Sequence, residues 1–210
     1  VSHPTKEQLA DYARGATSEG FSLLVASHLT YCPACRKQVE QFEMVSSALL
    51  SDAEPSEDTT MPSLDAALAA INSHPPSAPV VDDPGTPLPM PLRLVAGRKL
   101  DDLDWKFRMP GLHEAVFEGY EGEQVSLMRI RPGTGVWDHT HDGQEATLIL
   151  QGEMEDQGKV YRRGDVALAD HNHDHHPKVI GDEICYCLVV LAGNLRFTGP
   201  VGRALNLFTR

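Results

Sequence analysis

Apolar residues recur at helical spacing through the first third of the chain and at alternate positions through much of its last half. Phe21, Leu24, Val25 and His28 fall three or four apart and predict one face of an amphipathic helix, with His28 on or near its buried side. Ahead of it, Thr5-Lys6-Glu7-Gln8 has the form of a capping box, so a short helix should bury Leu9 and Tyr12 and stop at Gly15. Thr17 or Ser18 then caps the helix that carries His28. Pro33 suits the first turn of a third helix, where its missing N–H is no loss, and Val39, Phe42, Val45 and Leu49 form that helix's apolar stripe to about Leu50. After a polar, acidic loop, Ser63 opens a short helix with Leu64, Leu68 and Ile71 on one face, placed either to cover the small bundle or to embrace a partner.

The character of the chain then changes twice. Seven of the eighteen residues from His74 to Pro91 are proline, which predicts a semi-rigid, extended linker. Beyond it, stretches such as Val125–Ile130 and Ala146–Leu150, punctuated by glycine-containing turns, predict short strands of a sandwich or barrel, with no helix of consequence. The expected organisation is multidomain α + β: a helical domain over 1–73, a linker over 74–91 and an all-β domain over 92–210.

Composition narrows the function classes. The 210 residues are 41% hydrophobic, enough for packed cores, and carry a net charge of −12, which argues against a direct nucleic-acid binder. The first 73 residues hold four Lys/Arg against ten Asp/Glu, a balance suited to a basic protein partner. No stretch approaches the ~20 apolar residues of a bilayer span, and the first residues do not read as a signal peptide. The expectation is a cytoplasmic protein without membrane contact. Four cysteines in two close pairs fit metal binding or buried thiols better than a disulfide frame.

Two constellations carry chemistry. In the first, His28, Cys32 and Cys35 offer three metal ligands within eight positions, and His3 can complete a tetrahedral zinc site. Cys32 and Cys35 lie at a predicted helix N-terminus, which favours thiolate. A redox role for Cys-x-x-Cys would belong in a strand-rich thioredoxin-like context, which is lacking here. In the second, His139 and His141 sit two apart on a strand and share a face, and Glu145 follows after a turn through Gly143. His175 is the expected fourth ligand, with His173 its rival. His171 and His176 are expected at the surface or behind the ligands. Three imidazoles and a carboxylate do not by themselves choose a metal. Cys185 and Cys187 flank Tyr186 on a predicted strand and read as buried core thiols, being poorly placed for a disulfide.

These patterns are similar to known ones. His3-x24-His28-x3-Cys32-x2-Cys35 resembles the zinc-binding anti-sigma (ZAS) domain. Gly133-x5-His139-x-His141-x3-Glu145-x6-Gly152 resembles the first cupin motif. The second cupin motif is present as Gly164-Asp165 and His175, but Asp170 and Asn172 stand where proline and glycine are usual. Together with the Cys-x-Cys strand and Leu195-Arg196-Phe197, the whole chain resembles the ChrR family of anti-sigma factors. That resemblance implies a jelly-roll cupin over 92–210 and two zinc ions per chain, one on His3, His28, Cys32 and Cys35 and the other on His139, His141, Glu145 and His175. It implies an extracytoplasmic-function sigma factor as partner, held by the helical domain and released when the cupin senses singlet oxygen or related oxidants. The competing expectation is a cupin metalloenzyme, a dioxygenase or isomerase, with the helices as a zinc-stabilised appendage.

Overall fold

The computed structural model describes residues 2–53, 62–73, 85–97, 99–170 and 175–198. Its first part is helical. Helix α1 (Lys6–Ala13) starts at the predicted capping box: the Thr5 hydroxyl accepts from the Gln8 N–H and the Gln8 side chain accepts from the Thr5 N–H. Helix α2 (Glu19–Tyr31) follows Ser18, and α3 (Pro33–Ser51) follows Cys32. The three pack around Leu9, Val25, Cys32, Cys35 and Val39. Only the first half of the α3 stripe reaches this core. Val39 is buried and Phe42 packs against it, whereas Val45 and Leu49 are 60% and 69% exposed. Helix α4 (Leu64–Ser73) buries none of its residues.

A further helix, α5 (Met90–Ala96), stands where the proline pattern predicts an extended chain and the residues after it predict strand. Pro91 occupies its first turn and Gly97 ends it at φ 78°, the asymmetry expected of helix ends. Leu92 on α5, and Leu88 just before it, are buried against α2 and the sheet. Tertiary packing decides this segment, because its prolines fall at the helix start, where they are tolerated.

The remainder is β. Strands β1 (Lys106–Met109), β2 (Leu112–Phe117), β3 (Glu123–Ile130), β4 (His139–His141), β5 (Glu145–Gln151) and β6 (Glu153–Asp156) are followed by β7 (Lys159–Arg162), β8 (Val166–Ala169), β9 (Lys178–Ile180), β10 (Cys185–Ala192) and β11 (Leu195–Phe197). Six of them form an antiparallel sheet in the order β1-β2-β3-β10-β5-β8. Strands β7-β6-β9 form a second sheet, and β11 pairs with β4. The two larger sheets face one another over Leu112, Ile130, Ile149, Met154, Val179, Cys185, Cys187 and Val189. This is the cupin jelly roll.

The large sheet is covered on its other face as well. Val125, Leu127, Ala146, Leu148, Leu150, Val166, Leu188 and Val190 pack with Leu23 and Leu24 of α2 and with Leu88 and Leu92. Burial on both faces explains why β5 and β10 are apolar almost without interruption rather than cleanly alternating. Gly20 is the point of closest approach: a Cβ there would lie 2.6 Å from both Glu123 Oε2 and Val125 Cγ2. The Gly20 N–H donates to Glu123 Oε2, and the Ser18 hydroxyl, instead of capping its own helix, donates to Glu123 Oε1 at 2.6 Å.

Candidate metal centres

The first constellation comes together between the chain start and the α2–α3 junction. His28 is fully buried in the last turn of α2, and Cys32 and Cys35 are buried at the start of α3. His3 lies in the segment before α1 and directly precedes Pro4, which disfavours helical backbone at that position. Its Nδ1 is 3.4 Å from each sulfur, close to the ~3.5 Å edge of a tetrahedron with zinc bonds of about 2.3 Å to sulfur and 2.0 Å to nitrogen. One ligand atom from each of the four residues lies within 4.8 Å of the others.

The donors are prepared for a cation. His28 Nδ1 donates to the Gly164 carbonyl at 2.7 Å, and because a carbonyl only accepts, the proton sits on Nδ1 and Nε2 is bare. That Nε2 is buried and has no hydrogen-bond partner. Burial holds the His28 pKa below its ordinary value, so the ring is neutral. The Cys35 thiol is pushed up to about 12 by burial and by the adjacent Cys32. Burial thus outweighs the helix N-terminus for Cys35 until a positive charge arrives. The Cys35 N–H points at Cys32 Sγ at 3.4 Å, a further donor to a thiolate. A neutral imidazole with an unpartnered Nε2 and two sulfurs beside another imidazole fit zinc.

The second constellation lies inside the barrel. His139, Glu145 and His175 bring a ligand atom each within 4.8 Å of one another. His139 and His175 come from separate segments joined by a backbone bridge, with N–H···O distances of 3.3 and 3.2 Å in the two directions. Each ring is oriented from behind. His139 Nδ1 donates to the Trp137 carbonyl at 2.7 Å, and His175 Nδ1 donates to Asp156 Oδ2 at 2.9 Å. Both rings therefore offer Nε2, and His139 Nε2 stands 4.0 Å from Glu145 Oε2. Burial raises the Glu145 pKa, opposed by His175 and by the Thr147 hydroxyl, which donates to Oε1. Two imidazole nitrogens and a desolvated carboxyl group around one point fit a divalent cation, whose charge would favour the ionised carboxylate.

His141 lies in β4 opposite Leu195, with its side chain outside the described residues. His171 and the rival ligand His173 also lie outside them. His176 is half-exposed, 3.4 Å from Asp138 Oδ1. Cys185 and Cys187 are buried on the inner face of β10, and Cys187 lines the same cavity as the ligand cluster. Two participants carry no signal in sequence spacing. Asp156 ends β6, nineteen positions before His175, and Gly164 lies 136 positions after His28.

Comparison with known proteins agrees with this architecture. Residues 96–194 match the family described as the ChrR cupin-like domain. The chain is 32% identical to the anti-sigma-E factor ChrR of Cereibacter sphaeroides over 211 aligned positions, spanning 99% of this chain and 97% of the relative. It also matches the ChrR chain of a crystal structure of Rhodobacter sphaeroides SigE in complex with the anti-sigma ChrR. That match has a TM-score of 0.77 at 30% identity and covers 91% of this chain and 98% of the other.

Proposed function

The chain belongs to the ChrR family of anti-sigma factors, and from that premise we propose that its helices sequester an extracytoplasmic-function sigma factor and that its cupin governs release under oxidative stress. As an anti-sigma factor it is a regulator rather than an enzyme, and the dioxygenase or isomerase reading yields to that membership.

One observation carries the partner assignment. Met44, Val45, Leu49 and Leu50 on α3 and Leu64, Leu68 and Ile71 on α4 are all exposed, Leu50 at 76% and Ile71 at 69%. Seven large exposed apolar side chains on two successive helices are more than a scatter of surface leucines. Exposed apolar rows of this kind fit the apolar anchors of a protein interface, and the acidic charge of the helical part suits a basic partner. The similar ChrR chain was solved in complex with SigE. Inhibition on this reading is steric: the helices cover surfaces that the sigma factor needs for RNA polymerase.

Zinc on His3, His28, Cys32 and Cys35 would staple α2 and α3 to the chain start, and a second metal would join His139, Glu145 and His175, with His141 as a further ligand. Release requires a signal that favours a state with lower affinity for the sigma factor. The cupin, which buries the sheet face of α2, is the body whose rearrangement reaches the helices. The direct test is co-expression of the full chain with the sigma factor encoded beside its gene, followed by metal analysis of the purified complex. A one-to-one complex that dissociates on illumination with a singlet-oxygen generator is expected. No complex would overturn the anti-sigma reading for this chain, and a complex insensitive to oxidants would overturn the release step alone.

A further inference from the structure

The first metal site is not built from the helical part alone. Its outer wall is the turn between β7 and β8. The Gly164 carbonyl accepts from His28 Nδ1 and so decides which nitrogen of that ring faces the cysteines. The next residue, Asp165, is 7% exposed and accepts from the Ser2 N–H through Oδ1 at 2.7 Å and from the Arg162 N–H through Oδ2 at 2.8 Å. Val166 N–H then donates to the Ser2 carbonyl at 3.0 Å. Both backbone groups of Ser2 are thereby held by the barrel, and the following residue is His3.

We propose that Gly164 and Asp165 are positioning residues for the first metal centre, so that the cupin orients two of its four ligands: His28 directly, and His3 through Ser2. The inference rests on the reading that His3, His28, Cys32 and Cys35 bind a metal. Groups that orient metal-bound imidazoles typically change metal affinity by about 10–100-fold. Here both are supplied by a different domain.

The geometry admits few substitutes. Gly164 has φ 88°, and a Cβ at this position would meet Tyr31 Cβ at 2.9 Å, so the carbonyl comes this near to α2 only on a glycine. The turn also has a direct line to the second cluster. Strand β8 runs from Val166 to Ala169, which pairs with Glu145, and Ala167, Leu168 and Ala169 line the cavity of that cluster. Three residues of strand, about 10 Å at 3.3 Å each, separate the turn from the Glu145 end. A shift of β8 is therefore a shift of both outer-wall groups of the first site.

The test follows cobalt in the full-length protein, because a thiolate-to-cobalt charge-transfer band reports the cysteine site and not the His/Glu cluster. Ser2→Pro removes the donated N–H without altering the barrel, and Asp165→Asn weakens the acceptor in place. Both are expected to shift the cobalt d–d bands and to lose the charge-transfer band to a competing chelator at least about tenfold faster than the parent, with unchanged far-ultraviolet circular dichroism. If the parent shows the band and Ser2→Pro matches it in position and in release rate, the positioning role is wrong. A parent without the band would overturn the metal reading itself, and the inference with it.

Discussion

Oδ1 of Asp156 is buried without a hydrogen-bond partner, while its Oδ2 accepts from His175 Nδ1 at 2.9 Å. Such an arrangement is costly without a positive charge nearby, and a metal on the far side of the imidazole supplies one. Asp156→Asn or Asp156→Ala should therefore weaken metal binding in the barrel by about 10–100-fold and leave the cysteine site loaded. Competition with a chelator, monitored by metal analysis of each site's single-site variant, checks this. Equal affinity in Asp156→Ala would show that the carboxylate plays no part.

The exposed apolar row separates binding from folding. Val45→Asp and Leu49→Asp alter positions outside the core, so unfolding free energy should stay within about 0.5 kcal/mol of the parent. Affinity for the sigma factor should fall at least about tenfold, as expected when an apolar anchor at an interface becomes charged. Urea titration and a binding isotherm on the same preparations measure both.

Leu24 makes the opposite case. It is fully buried where α2 meets the sheet, among Leu88, Leu92, Leu127 and Leu148. Leu24→Ala should cost about 2–5 kcal/mol, and Leu49→Ala almost nothing. A chemical-denaturation midpoint for each variant distinguishes the two environments.

Removal of the first metal should destabilise the molecule through its helices. The core around Leu9, Val25 and Val39 is small and includes both cysteine ligands, so bound metal contributes much of its stability. Chelation should lower the melting temperature and raise proteolytic cleavage before α2, and added zinc should restore both. Unchanged melting on complete metal removal would show that the helices do not depend on it.

Much of this was legible in the residues. The capping box at Thr5, the helix start at Pro33 and the close spacing of His28, Cys32 and Cys35 and of His139, His141 and Glu145 are local signals, and the structure realises the helices and draws together seven of the eight proposed ligands. What the sequence concealed is non-local. Periodicity marks Val45 and Leu49 as apolar but cannot tell a buried face from one awaiting a partner. Prolines at 87, 89 and 91 suggest an extended chain, whereas α5 forms because its Leu92 has the sheet to bury against. The groups behind the ligand histidines, Gly164 and Asp156, lie far away in the chain and belong to turns or strand ends with no motif of their own.

The apolar seam that Leu23 and Leu24 share with the β-sheet has a consequence for how the molecule comes apart. A fragment carrying only the helices would expose that seam to water, and a barrel without α2 and α5 would expose its counterpart on β3, β5 and β10. Each half is the other's dry surface. The two should therefore lose structure together, as one cooperative unit with a single calorimetric endotherm, rather than as two beads melting independently on a string.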